Sequence, residues 1–429
     1  MTDQTGGERI SRWPLWYGSP IPLPQRQGMV FLLVGFTFLF SGYDLNVYGL
    51  AIPQIQLSLH IPEDQTGLTV SYFRLATLIA LFIAPLADIF GRRRLILFTI
   101  VGEALFTLAS AFAQTYPEYV WLQICVRICG YCEELLCFVI VAEEIDERAR
   151  GWSMGALGAM NALGVGVASL MFALVQILPF GWRSLYVIGS GALIVLAWYR
   201  RWLPETRRFE LRREELKRLG TKTHAVWETL ALLARHYPAR LIIMLFAVAA
   251  FDFAMAPSVI LMAKYLQQTH HYAPGQVTLL YVLGGSISTV GSLLMGRLSD
   301  HIGRKVVIIF CGTLCAGSFA VFFSGIGSWI LPVSWIVAIF GYLAATALAA
   351  GFVAEIFPTA YRATTSTLRY VITTLGGATA LALEGPLYNV FHAHGPAITC
   401  FLAVMPLALI AILFLPETAG KPLEEIAQA

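Results

Sequence analysis

Gly296 to Lys305 reads GRLSDHIGRK, and a cruder copy, APLADIFGRRR, runs from Ala84 to Arg94. Each is a short charged turn set between long apolar runs. Asp88, Gly91 and Arg92 recur as Asp300, Gly303 and Arg304, each displaced by 212 positions. The same offset carries Pro204, Glu205 and Thr206 onto Pro416, Glu417 and Thr418, Glu143 onto Glu355, and Arg150 onto Arg362. Matches that agree on one offset are the signature of an internal repeat. The chain is therefore expected to consist of two copied halves, each with the same charged turn.

The apolar runs decide the class. Of 429 residues, 57% are hydrophobic and 13% charged, against about 25% charged in an ordinary soluble domain. A bilayer core about 30 Å thick needs about 20 apolar residues per spanning helix. Twelve such runs begin near Gly28, Gly67, Leu95, Tyr119, Gly151, Trp182, Leu241, Gln276, Val306, Ile330, Thr364 and Pro396. An all-α polytopic membrane protein of twelve transmembrane helices in two six-helix bundles follows.

Positive residues are retained on the cytoplasmic side of a membrane. Arg92 to Arg94, Arg148 and Arg150, the Arg/Lys-rich stretch from Arg200 to Lys222, Arg304 and Lys305, and Arg362 follow the even-numbered runs, and Arg183 is the exception. This places both termini in the cytoplasm. The expected divisions are a tail over 1–27, a bundle over 28–202, a cytoplasmic linker over 203–238, a second bundle over 239–415 and a tail over 416–429. The opening segment is too long and polar for a secretory signal. ELRREELKRL, within the linker, predicts an amphipathic helix.

In each turn the Gly permits a tight reversal, and the Asp can accept from backbone N–H groups at a helix start or pair with an Arg. Asp88, Gly91, Arg92, Gly296, Asp300, Gly303 and Arg304 are thus candidates for a gating latch.

At this point the chain resembles the major facilitator superfamily. Its loop signature, Gly-x-Leu-x-Asp-x-x-Gly-Arg-Lys or Arg, is met in full by the second copy, whereas the first has Ala84 where Gly is usual and Ile89 where Arg is common. The exits PETRRFE and PETAGKPLEEI and the stretch EIFPTAYRAT resemble the sugar-porter and metabolite:proton symporter branches. The resemblance implies alternating access around a site at the bilayer midplane. It further implies that Asp44 in the first run faces Arg127 in the fourth, both runs lining the cavity.

An ionisable group in hydrocarbon costs about 2.5 to 3.5 kcal/mol on insertion scales and is a functional candidate by default. Asp44, Arg74, Glu103, Arg127, Glu133, Glu134, Asp252 and Arg369 lie inside runs, with Lys264 and Glu384 nearer run ends. At about 100° per residue Glu134 shares a stripe with Arg127, while Glu133 points toward the cysteine side. Asp44, Glu134, Glu133 and Asp252 are the expected proton carriers: a carboxylate held by Arg127 can take a proton when that pair opens. Arg74 and Glu103 are read as a local structural pair.

Arg127 and Arg369 could hold a carboxylate by bidentate hydrogen bonds. Tyr43, Asn46, Tyr48, Asn161, Phe251 and Tyr370 are further candidates for substrate contact. The expected function is proton-coupled symport of a small organic anion. The same acids and tyrosines would also suit an organic cation, and a uniporter or a non-transporting sensor uses the same fold. The paired glutamines and the Gly-Pro-x-Pro-Trp run of sugar porters are missing, which argues against a hexose.

The seven cysteines lie at membrane depth and read as packing residues. Cys125, Cys129 and Cys132 do share one helical face, the sole hint of a metal path. Gly151, Ser153 and Gly155 match a hydrolase elbow, but on a membrane helix they read as small residues for close packing. No enzyme motif, cofactor site or nucleic-acid signal appears. The expected partners are a small-molecule substrate, protons and lipid, for a monomer in the plasma (inner) membrane.

Overall fold

The computed structural model describes residues 24–87, 91–145, 147–201, 226–327, 329–358 and 361–419. They form α1 (Gln25–Leu59), α2 (Thr66–Ile83), α3 (Arg92–Phe112), α4 (Tyr116–Glu144), α5 (Glu147–Ala173) and α6 (Trp182–Arg200). A short helix, Val226–His236, precedes α7 (Pro238–Thr269), α8 (Pro274–Ile302), α9 (Arg304–Phe323), α10 (Ile330–Glu355) and α11 (Arg362–Phe391). α12 (His394–Leu413) is broken by a turn at Ala403 and Val404. ELRREELKRL lies outside the described residues.

Among the described residues nine helices are long and apolar enough to cross a membrane. α4, α6 and α11, of 29, 19 and 30 residues, coincide with the three other expected runs. They fall short on composition, because α4 carries Arg127, Glu133 and Glu134, α6 opens on Arg183, and α11 holds Arg369 and Glu384. The outer flanks of the bundles are apolar, as lipid-facing surface requires: Phe98, Leu105 and Phe112 on α3 and Val290, Leu293 and Leu294 on α8 are all exposed.

The contacts divide the chain into two compact units, one drawn from Met1–Tyr48 and Ala76–Thr221, the other from Gly49–Leu75 and Lys222–Ala429. The divisions fall inside α1 and α2, so the end of α1 and the start of α2 pack with the second unit. In the first unit Val34, Phe38, Ile96, Cys132, Ile140 and Leu157 form part of one buried core. α1 and α5 meet backbone to backbone, since a Cβ on Gly42 would strike the Asn161 carbonyl and one on Gly164 the Leu39 carbonyl. That close approach is made at Gly164 rather than at the elbow-like Gly155, where an added Cβ would meet nothing from outside its own turn within 4 Å. In the second unit Gly376 of α11 lies against the Ala249 carbonyl of α7, and Gly341 of α10 against the Cys311 carbonyl of α9.

Candidate functional site

In the first unit, α1 and α4 bring Asp44 and Arg127 together. The Arg127 guanidinium donates to Asp44 Oδ2 at 3.1 Å, to the Asp44 carbonyl at 3.3 Å and to Gln123 Oε1 at 3.3 Å, and all three side chains are buried. Glu134 lies two turns further along the same stripe of α4 and accepts from the Ser41 hydroxyl at 3.3 Å. Ser41, Asp44, Glu103, Arg127 and Glu134 line a void of about 20 Å³. That is room for one water and no more.

Glu133 points elsewhere, as its position in the helix demands. It pairs at 2.7 Å with Arg200 of α6, both side chains being wholly buried. Arg200 also donates to Thr37 and reaches Cys137 Sγ at 3.3 Å. The Glu103 carboxyl of α3 lies against Glu133 and against Gly130 of α4, where any Cβ would crowd it. Among the described residues, no cation stands within salt-bridge distance of Glu103 or Glu134.

The expected Arg74–Glu103 pair is overturned. Arg74 of α2 instead forms an ion pair with Asp252 of α7 inside the second unit, near Tyr342 and Tyr370. Gly377 of α11 makes the space, because a Cβ there would collide with both partners. Arg74 lies 178 residues from Asp252 in the chain, and no sequence pattern links the two.

The remaining candidates take up a range of positions. Tyr43 donates to the Leu185 carbonyl at 2.8 Å, and Tyr48 stacks on Tyr119 at 6.2 Å. Asn46 donates to the Gly42 carbonyl one turn back, and Asn161 reaches the Phe38 carbonyl at 3.3 Å. Phe251 stacks on Tyr342 at 6.4 Å, while Arg369 and Tyr370 are half-buried on α11. The seven cysteines are free thiols, and no group of three or more metal-binding side chains occurs among the described residues.

The duplicated turns are built alike. Gly91 and Gly303 precede α3 and α9 at φ values of 96° and 110°, which a side chain would strain. Arg92 pairs with Glu143 at the end of α4, and Arg304 pairs with Glu355 at the end of α10 at 3.1 Å. These are the same two residues shifted by 212. Asp300 binds Arg304 one turn on, at 2.7 Å. The acceptor at the helix start is not Asp300, however, but Glu417, which receives the backbone N–H groups of Arg304 at 2.9 Å and Lys305 at 3.1 Å. Thr418 closes the ring by donating to Glu355 at 2.6 Å. Burial tends to raise the Glu417 carboxyl, but hydrogen bonds from the backbone of Ala419, Lys305, Arg304 and Thr418 outweigh it and hold it below the usual carboxylate range. Asp88 lies outside the described residues. The repeat offset already singled out Glu143, Glu355 and Glu417; what the sequence lacked was their partners.

A helical membrane protein with buried ion pairs and paired charged turns is the architecture of a secondary transporter. The profile of the Major Facilitator Superfamily matches residues 34–288 and 241–428. The chain belongs to that superfamily, and it is a multi-pass membrane transporter rather than an enzyme. Among curated relatives, it is 23% identical over 433 residues to a probable 4-methylmuconolactone transporter of Cupriavidus pinatubonensis, covering 96% of this chain and 95% of that one. It is 24% identical over 408 residues to a cis,cis-muconate transport protein of Acinetobacter baylyi, covering 92% and 95%. A D-xylose-proton symporter structure superposes with a TM-score of 0.75 at 16% identity over 92% of this chain and 99% of that one. At that identity it speaks for the fold alone.

Proposed function

We propose that this transporter carries a small organic anion in symport with protons, by alternating access, in the plasma (inner) membrane with both termini cytoplasmic. The observation that carries the reading is the buried Asp44–Arg127 pair facing Glu103 and Glu134 across a shared void. Arg127 is a fixed guanidinium bound to one carboxylate oxygen of Asp44, and a solute carboxylate could offer it two in bidentate geometry. Exchange of one for the other would free Asp44 to take a proton. Arg127 and Arg200 face four carboxyls, the buried Asp44, Glu103 and Glu133 and the half-buried Glu134. The two surplus carboxyls are where protons bind with least loss of ion pairing.

The void is too small for an organic acid, so binding requires a rearranged state of this region. Arg369, Tyr370, Asn46, Tyr48, Asn161, Phe251 and Tyr43 are the proposed further contacts, and Asp252, paired with Arg74, is a secondary proton carrier. Relatives named for muconate and a muconolactone support a carboxylate or lactone substrate. The test is uptake of radiolabelled muconate and related acids into liposomes holding the purified protein, with and without an inward proton gradient. Gradient-driven uptake lost in Asp44→Asn supports the reading. Uptake of cations alone, or uptake indifferent to the gradient, overturns it.

A further inference from the structure

At the end of the second unit opposite the Arg304 turn lies a pocket of about 1060 Å³, walled by Leu57, Tyr265, Phe323, Tyr388 and Phe391 and floored by Glu63 and His394. His394, the first residue of α12, has both ring nitrogens on carboxylates. Nδ1 is 2.6 Å from Glu384 Oε1 of α11, and Nε2 is 3.1 Å from Glu63 Oε2 in the turn before α2. A neutral imidazole has one N–H and one lone pair, and a carboxylate has only lone pairs. The two contacts can both be hydrogen bonds only if the trio holds one proton more than a neutral histidine and two carboxylates.

Charge counting agrees. Lys264 of α7 is buried and bonds Glu63 Oε2 at 2.5 Å, leaving the cluster at minus one until the extra proton brings it to zero. Glu384 is fully buried, and its second oxygen, Oε2, has no hydrogen-bond partner. The other groups facing the trio are Gln268, which donates to Glu63 at 3.3 Å, Thr66 on Lys264, Gln56, and Tyr388, whose ring stacks on His394 at 4.4 Å. Asp64 is engaged by Asn389, and His392 lies on the pocket wall.

We propose that Glu63, His394 and Glu384 form a proton-binding site, filled from this pocket, whose proton ties the start of α2 to α11 and α12. It is separate from the Asp44–Arg127 pair and stands whether or not that pair moves protons. The His394 side chain is 11% exposed, enough for water in the pocket to exchange its proton. Protonation favours the tied state, so the stability the trio contributes is present at low pH and lost as pH rises.

The test is the thermal unfolding midpoint of the purified full-length protein from about pH 5 to about pH 9, the range in which histidine titrates. The wild-type midpoint should fall as pH rises. Glu384→Gln keeps the shape but removes one carboxylate, and should move that fall to lower pH by about one unit, a tenfold weaker hold on the proton. His394→Gln should abolish the fall. If His394→Gln does not fold, wild type against Glu384→Gln decides, because loss of packing alone lowers the midpoint at every pH without moving the fall. The histidine Cε1 NMR resonance missing from a variant lacking His394 gives a second readout of the same titration. A fall at the same pH in wild type and Glu384→Gln, or a His394 resonance that does not titrate, overturns the proposal.

Discussion

Arg127 and Arg200 show how single residues divide the labour inside the first unit. Both guanidiniums are buried against carboxylates, but Arg200 also holds Thr37 and Cys137 in a dry setting, whereas Arg127 faces a void. Removing one partner of a buried pair leaves the other uncompensated, typically at 3 to 5 kcal/mol. Arg200→Met should therefore cost on the order of 3 kcal/mol and deplete folded protein, as read by size-exclusion of the solubilised chain. Arg127→Gln combined with Asp44→Asn removes both charges at once. That double variant should recover much of the stability lost by Arg127→Gln alone while leaving gradient-driven uptake abolished, and a coupling energy near zero in the double-mutant cycle would count against the pair. The pairing of Asp44 with Arg127 was legible through family resemblance, and the separate directions of Glu133 and Glu134 through helical periodicity. Arg74 with Asp252 was not, because one sequence gives angles around a helix but no distances between helices.

At the scale of the element, the small residues matter by location more than by number. Gly377 sits where a side chain would push Arg74 and Asp252 apart, while Gly155 faces open space. Gly377→Val should lower the thermal midpoint and uptake together, and Gly155→Ala should change neither by much. The α9 start is held by Glu417, whose depressed carboxyl adds stability above its unfolded pKa and loses it as pH falls through the lower folded value. The midpoint difference between wild type and Glu417→Gln should hold steady above about pH 5 and narrow below about pH 4. The positions of all twelve helices could be read from the hydropathy pattern. The break in α12 lies within an apolar run, so hydropathy passes over it, but Pro406 marks it: proline has no N–H for the carbonyl four residues back and sits in the first turn of the second segment.

Over the whole molecule the repeat is faithful at its turns and absent at its centre. Arg92 with Glu143 reappears as Arg304 with Glu355, but the counterparts of Asp44 and Arg127 at the same offset are Ala256 and Ile339. Glu143→Gln and Glu355→Gln should thus impair uptake to a similar degree, and a large inequality between them would show that only one turn matters to the cycle. The repeat offset revealed the copied turns, which keep their residues in both halves; it is silent on Asp44 with Arg127, whose counterparts are uncharged, and on Arg74 with Asp252. The consequence reaches into how such a protein changes its diet. Under the proposed function, in which the duplicated turns gate the cycle and the charges of α1 and α4 recognise the solute, a lineage can change its solute by altering one half while the turns are inherited untouched. An engineer could follow the same route, treating GRLSDHIGRK as a transplantable fitting and directing all variation at the charges of α1 and α4.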